Sequence, residues 1–189
     1  VYTQPDRPAG RGNKLHASPV KEYAITHGLP VFQPEKIRTE EALAEFRSHS
    51  ACVAVVVAYG RILPKSWLTA FELGAINVHF SLLPKYRGAA PVNWAIINGE
   101  RETGVTTMRM DEGLDTGAVY SRSVTAVGSK TTAELWDELS ATGTELLLGA
   151  LESGLGDPEP QSGEVTYAHK ITNEDRRLDP ATQSADHLW

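Results

Sequence analysis

Cysteine is nearly missing from this chain, with Cys52 the single one among 189 residues. One thiol excludes a disulfide framework, and no cluster of cysteine and histidine has the spacing of a zinc site. Long apolar runs are missing as well. No stretch is long enough to span a bilayer, and no signal-peptide pattern stands at the start. There is no Gly-x-Gly-x-x-Gly turn behind a strand and no P-loop. Gly10-Arg11-Gly12 lies in a basic loop and lacks the third glycine, so a dinucleotide is not implied. Positive charge is in deficit, with a net charge of −6, and the chain as a whole repels phosphate. Any nucleic-acid contact must therefore come from a local basic patch. Together these absences set the expectation of a reducing, cytoplasmic protein without metal or membrane attachment.

What is present is ordinarily globular: 41% of residues are apolar and 22% charged, in a length that suits one domain with a hydrophobic core. Strand and helix signals alternate, predicting an α/β, Rossmann-like domain around a mostly parallel sheet. Val1-Tyr2-Thr3 reads as the end of a strand. Ser18 caps a helix that begins at Pro19 and exits at Gly28, and Leu29 to Gln33 is a short strand. Thr39 caps a second helix through Phe46. Ala51 to Ala58, apolar on both faces, predicts a central parallel strand with Cys52 buried in it. Tyr59-Gly60 closes that strand at the carboxyl end, where open α/β sheets bind ligands. Pro91 to Asn98 is a short helix with Trp94 and Ile97 inward. Thr131 caps the longest helix, whose leucines form an apolar stripe with Trp136 beside them. Gly154 to Gly163 is rich in proline and glycine and ends the compact domain. His169 falls on a surface or linker, and the chain is polar from Thr172 onward.

The chemistry concentrates in Asn77-Val78-His79-Phe80-Ser81-Leu82-Leu83-Pro84. An apolar entry after Gly74 predicts a buried strand. Alternation sends Asn77 and His79 to one face and Val78 to the other. One face then carries an amide that can donate to an oxyanion and an imidazole that titrates near neutrality. The loop from Ser81 to Pro91 is apolar and proline-rich, as pocket-lining loops are. Between two further strands, Gly104 to Met110 and Ala118 to Val124, lies Asp111-Glu112-Gly113-Leu114-Asp115-Thr116-Gly117. Asp115 is the carboxylate expected to turn inward, with Asp111 and Glu112 as solvated turn charges.

The Asn77–Pro84 string, Arg87-Gly88-Ala89-Ala90-Pro91, Glu102-Thr103-Gly104-Val105-Thr106 and Leu114-Asp115-Thr116-Gly117 resemble the 10-formyltetrahydrofolate-dependent formyltransferase family. The closest likeness is to its branch acting on initiator methionyl-tRNA, and it runs from Tyr2 to about Ile171. The resemblance implies a formyltransferase domain over residues 1–171, preceded in the family pattern by a first strand and helix. Residues 172–189 would be a linker towards a C-terminal β-barrel that this chain lacks. It also implies a monomer with 10-formyltetrahydrofolate as cosubstrate, bordered by Ser81, Leu82, Leu83 and Pro84 and by the Tyr59-Gly60 turn.

Within that chemistry an amine attacks the formyl carbon and an oxyanion develops. Asn77 is assigned as oxyanion donor, His79 as oxyanion donor and acid, and Asp115 as orienter and proton relay. Arg7, Arg11 and Lys14, set among glycines and prolines, form the local basic patch. The resemblance places the tRNA acceptor end on it. Two alternatives remain open from the residues. One is formyl transfer to a small amine, or formyltetrahydrofolate hydrolysis; the other is a folate-binding fragment without activity.

Overall fold

The computed structural model describes residues 1–9 and 14–177. The chain opens with a two-stranded antiparallel hairpin, β1 (Arg7–Ala9) and β2 (Lys14–His16), pairing Arg7 with His16. The basic loop read in the sequence thus has paired flanks. A ribbon held by backbone pairing, with Leu15 69% exposed, buries no apolar face and so leaves no periodicity in the sequence. Helix α1 (Pro19–Thr26) begins as expected, with Ser18 Oγ accepting the Lys21 N–H at 3.2 Å. Instead of a strand at Leu29 to Gln33 there is a single parallel bridge between Phe32 and Tyr2. Helix α2 (Glu40–Ser48) follows, capped by Thr39.

The main sheet has four strands: β3 (Ala54–Val56), β4 (Ala75–His79) and, beyond the short β5 (Arg87–Gly88), β6 (Glu102–Arg109) and β7 (Val119–Ala126). Their order is β3-β4-β6-β7. The α/β expectation holds, and the sheet is mixed. β3 runs parallel to β4, while β6 and β7 extend it antiparallel.

Helix α3 (Lys65–Leu68), unforeseen in the sequence, packs with α2 on one face, around Leu43, Phe46, Trp67 and Ala75. Helices α4 (Pro91–Ile97) and α5 (Thr132–Ser153) cover Val78, Val92, Val105, Leu135 and Leu139 on the other. Gly143 permits that packing, because a Cβ there would stand 2.8 Å from a Val78 methyl. Among the described residues no helix is long and apolar enough to cross a membrane.

Several sequence expectations give way in the structure, some because a segment lacks a neighbour and some because the segment after α5 supplies one. The run Ala51 to Ala58 makes a strand only at Ala54–Val56, with Val55 and Val57 44% and 49% exposed. A strand apolar on both faces needs cover on both, and β3 pairs with β4 alone, which also leaves Cys52 exposed. Ile97 is half exposed at the last turn of α4. The segment after α5 does not end the compact unit. Glu159 exchanges two backbone hydrogen bonds with Val119, and β8 (Tyr167–Ala168) runs parallel to β5. Trp94, expected in the core, is partly buried against this returning segment, its indole N–H donating to the His169 carbonyl at 2.8 Å.

Candidate active site

β4 ends in the site. Val78 is drawn under α5, so its neighbours Asn77 and His79 take the opposite face, where both are buried. Across the sheet they pair with Met108 and Thr106 of β6, whose side chains share that face. Thr106 Oγ1 donates to the Ser81 carbonyl at 2.7 Å and accepts the Leu83 N–H at 3.2 Å, pinning the loop that leaves β4. Arg122 Nε donates to the Leu83 carbonyl at 3.1 Å. Leu83, Met108 and Val119 form a small apolar cluster beneath.

The His79 ring is oriented by a backbone group. Its Nε2 lies 2.9 Å from the Tyr86 carbonyl oxygen, which only accepts, so Nε2 carries the hydrogen. Nδ1 is left free of that bond, and it faces Asp115 Oδ2 at 3.7 Å. The same carboxylate oxygen accepts the Gly88 N–H at 2.7 Å. Among the described residues the Asn77 amide makes no hydrogen bond, which leaves its two donors for a ligand. His79, at the end of β4, and Asp115, in the loop between β6 and β7, thus come together, with Asn77 two residues before His79 on the same face.

The loop carrying Asp115 is bent sharply. Asp115 has φ +51°, in the left-handed region that aspartate tolerates better than most residues. Asp111, expected to be merely solvated, organises the loop from within. Its Oδ1 accepts from the Gly113 N–H at 3.0 Å and the Thr116 hydroxyl at 2.6 Å. Tyr86, at φ +59°, is held by its N–H donating to Thr166 Oγ1 at 2.8 Å and by its hydroxyl donating to Glu100 at 2.7 Å. Burial raises the Tyr86 phenol above its ordinary pKa, so it stays a neutral donor.

The remaining site residues fall at the same sheet edge with different exposures. Ser81 is fully buried, its hydroxyl donating to the Lys85 carbonyl at 2.6 Å, and Leu83 and Pro84 are buried too. Leu82 alone of that run has a partly open side chain. Because β3 and β4 are parallel, with Val56 beside Asn77, the Tyr59-Gly60 turn ends at the same edge as His79. The Tyr59 ring packs into the α2–α3 core, which raises its phenol pKa by burial. Its carbonyl instead receives Gln4 Nε2 at 2.7 Å. Gln4 also accepts from Arg61 at 2.9 Å and from Arg7 at 3.0 Å, linking the exposed hairpin to this turn. Arg11 lies outside the described residues, as does the Lys14 side chain.

Sequence reasoning missed Gln161, Arg87 and Thr106 as parts of this site. Arg87 stood in a quoted motif, but nothing local signals what a side chain 74 residues away accepts from it.

The chain belongs to the formyl transferase family, whose model matches residues 1–151. It is similar to the methionyl-tRNA formyltransferase of Symbiobacterium thermophilum, 52% identical over all of this chain and 59% of that protein. The methionyl-tRNA formyltransferase of Thermodesulfovibrio yellowstonii is 46% identical over 94% of this chain and 59% of that protein. The chain spans about three fifths of the length of these curated relatives, 59% of each. Among solved structures, HypX from Aquifex aeolicus in complex with tetrahydrofolic acid superposes with a TM-score of 0.67. It is 25% identical and covers 77% of this chain and 26% of that one.

Proposed function

We propose that the chain transfers a formyl group from 10-formyltetrahydrofolate to the amino group of initiator methionyl-tRNA. It would do so as a cytoplasmic monomer, with residues 1–171 as its catalytic unit. The observation that carries this reading is the pairing of a backbone-oriented His79, its Nδ1 turned to Asp115, with the unengaged Asn77 amide beside it. Support comes from the similarity to methionyl-tRNA formyltransferases and to a tetrahydrofolate-bound relative.

In this reading the amine nitrogen bonds to the formyl carbon while the bond from that carbon to the folate nitrogen breaks. The carbonyl oxygen gains charge at the tetrahedral stage. Asn77 Nδ2–H and His79 Nδ1–H donate to it. One such donor is worth about 10²–10³-fold in rate. Asp115 orients the imidazole and, through a water, takes the proton that the amine sheds. The folate nitrogen receives a proton from the same pair as it leaves. Ser81 to Pro84, with Tyr59 and Gly60, border the folate, and backbone groups and Leu82 make the contacts where side chains are buried. Arg7, Arg11 and Lys14 meet the tRNA backbone.

The test is transfer of labelled formyl to methionyl-tRNA, for this chain and for the chain extended to the span of its relatives. His79→Ala and Asn77→Ala are each expected to lower the rate at least about 10²-fold. Transfer undiminished by His79→Ala sinks the site assignment. Transfer to glycinamide ribonucleotide or a sugar nucleotide instead, or release of formate, keeps the chemistry and removes the tRNA.

A further inference from the structure

Gln161 lies beyond the residues matched by the formyl transferase family model, in the segment that returns after α5. Its side-chain amide is nonetheless fully engaged with the Asp115 loop. Nε2 donates both hydrogens, to the Asp115 carbonyl and the Gly117 carbonyl, each at 2.8 Å, and so spans Thr116. Oε1 accepts from the Arg87 guanidinium, at 2.6 Å from Nη2 and 3.2 Å from Nε. Arg87 is followed by Gly88, whose N–H donates to Asp115 Oδ2 at 2.7 Å. The contacts close a ring: Gln161 to the Asp115 backbone, the Asp115 carboxylate to Gly88, and Arg87 back to Gln161.

That ring is held from both sides. Before Gln161, Glu159 is tied to Val119 by backbone bonds of 2.7 and 2.8 Å. After it, β8 runs along β5, and the Arg87 and Ala89 N–H groups donate to Thr166 and Ala168. Among the described residues, the Asp115 carbonyl has no other hydrogen-bond partner. The Asp111 contacts brace the front of the loop, but they lie in solvent and do not reach the residue that faces His79.

We propose that Gln161 is a positioning residue: its amide sets the Asp115 turn, and with it the placing of the carboxylate between Gly88 N–H and His79 Nδ1. The kinetic half of this proposal rests on the formyl-transfer reading above; the geometric half does not.

Two variants separate the role from simple anchoring of the strap. Gln161→Ala removes every contact. Gln161→Glu keeps an acceptor for Arg87 and removes both donors to the Asp115 loop. The Gly88 amide proton reports the carboxylate directly, because a short hydrogen bond to a charged oxygen deshields it. Asp115→Asn supplies the reference for its loss.

In both Gln161 variants the Gly88 resonance is expected to move towards the Asp115→Asn position. kcat should fall about 10–100-fold with the KM for methionyl-tRNA within about twofold, as misplacement of a reacting group does. A Gly88 resonance left in place in folded Gln161→Glu overturns the proposal, and so does an unchanged kcat in an active enzyme. If the parent protein transfers formyl to no acceptor, the functional reading falls, and the Gly88 resonance alone decides the role of Gln161.

Discussion

Gly88 carries two constraints in one residue. Its φ of +120° is a conformation that L side chains avoid, and a Cβ added there would stand 2.7 Å from the Ala168 carbonyl oxygen. Gly88→Ala is therefore expected to lower unfolding free energy by roughly 1–3 kcal/mol, as strained backbone positions cost. It should also slow formyl transfer, because the N–H that holds Asp115 moves. Urea denaturation and initial rates check both, and a variant of normal stability and rate would show the close approach to be soft. At this scale the site was partly legible. Asn77 and His79 follow from strand alternation, and Asp115 from its place in a glycine-flanked turn. That Nε2 rather than Nδ1 of His79 carries the hydrogen was not, because the Tyr86 carbonyl that decides it is positioned by Thr166.

Among the elements, those with caps were read correctly. The N-terminus of α5 is a capping box: Glu134 Oε2 accepts from the Thr131 N–H and hydroxyl, each at 2.8 Å, and Thr131 Oγ1 accepts the Glu134 N–H at 3.3 Å. The Thr131 backbone and hydroxyl donors hold the Glu134 carboxyl below its ordinary pKa. A carboxyl whose folded pKa is depressed stabilises the fold above its unfolded pKa, and that share is lost as pH falls through the folded value. Glu134→Gln keeps an acceptor but not the charge. The gap in melting temperature between parent and variant should be full near neutrality and close as the pH falls through the lowered folded pKa. A gap independent of pH would show that the charge contributes nothing. The elements that escaped notice are β1–β2, α3, β5 and β8. They are short, and backbone pairing or a single helical turn defines them without an apolar period to announce it.

For the molecule as a whole, the consequential feature is the outer edge of β3. No strand pairs with it among the described residues. Beside it runs an apolar groove of about 520 Å³, walled by Tyr2, Phe32, Phe46, Val55 and Val57 among others. Tyr2 lies in that wall, and burial, with Glu45 and Tyr59 adding to it, pushes its phenol up to about 12. An unpaired edge with exposed valines is a template for another strand. A chain that is a monomer at assay concentrations should begin to self-associate here only as concentration rises well above them, and Val55→Lys should suppress this, as light scattering would show; equal scattering would place the contact elsewhere. The sequence alone determined the α/β class, the capped helices, the strand bearing Asn77 and His79, and the family resemblance. All of these rest on local pattern: period, cap chemistry and short motifs. Only the tertiary structure decided that β3 is a short edge and that Cys52 is exposed. It likewise decided that residues 159–168 return across the site to hold Asp115 through Gln161. Those outcomes depend on which distant segments meet. The Gln161 contact joins residues 46 apart, and no local periodicity records such a meeting.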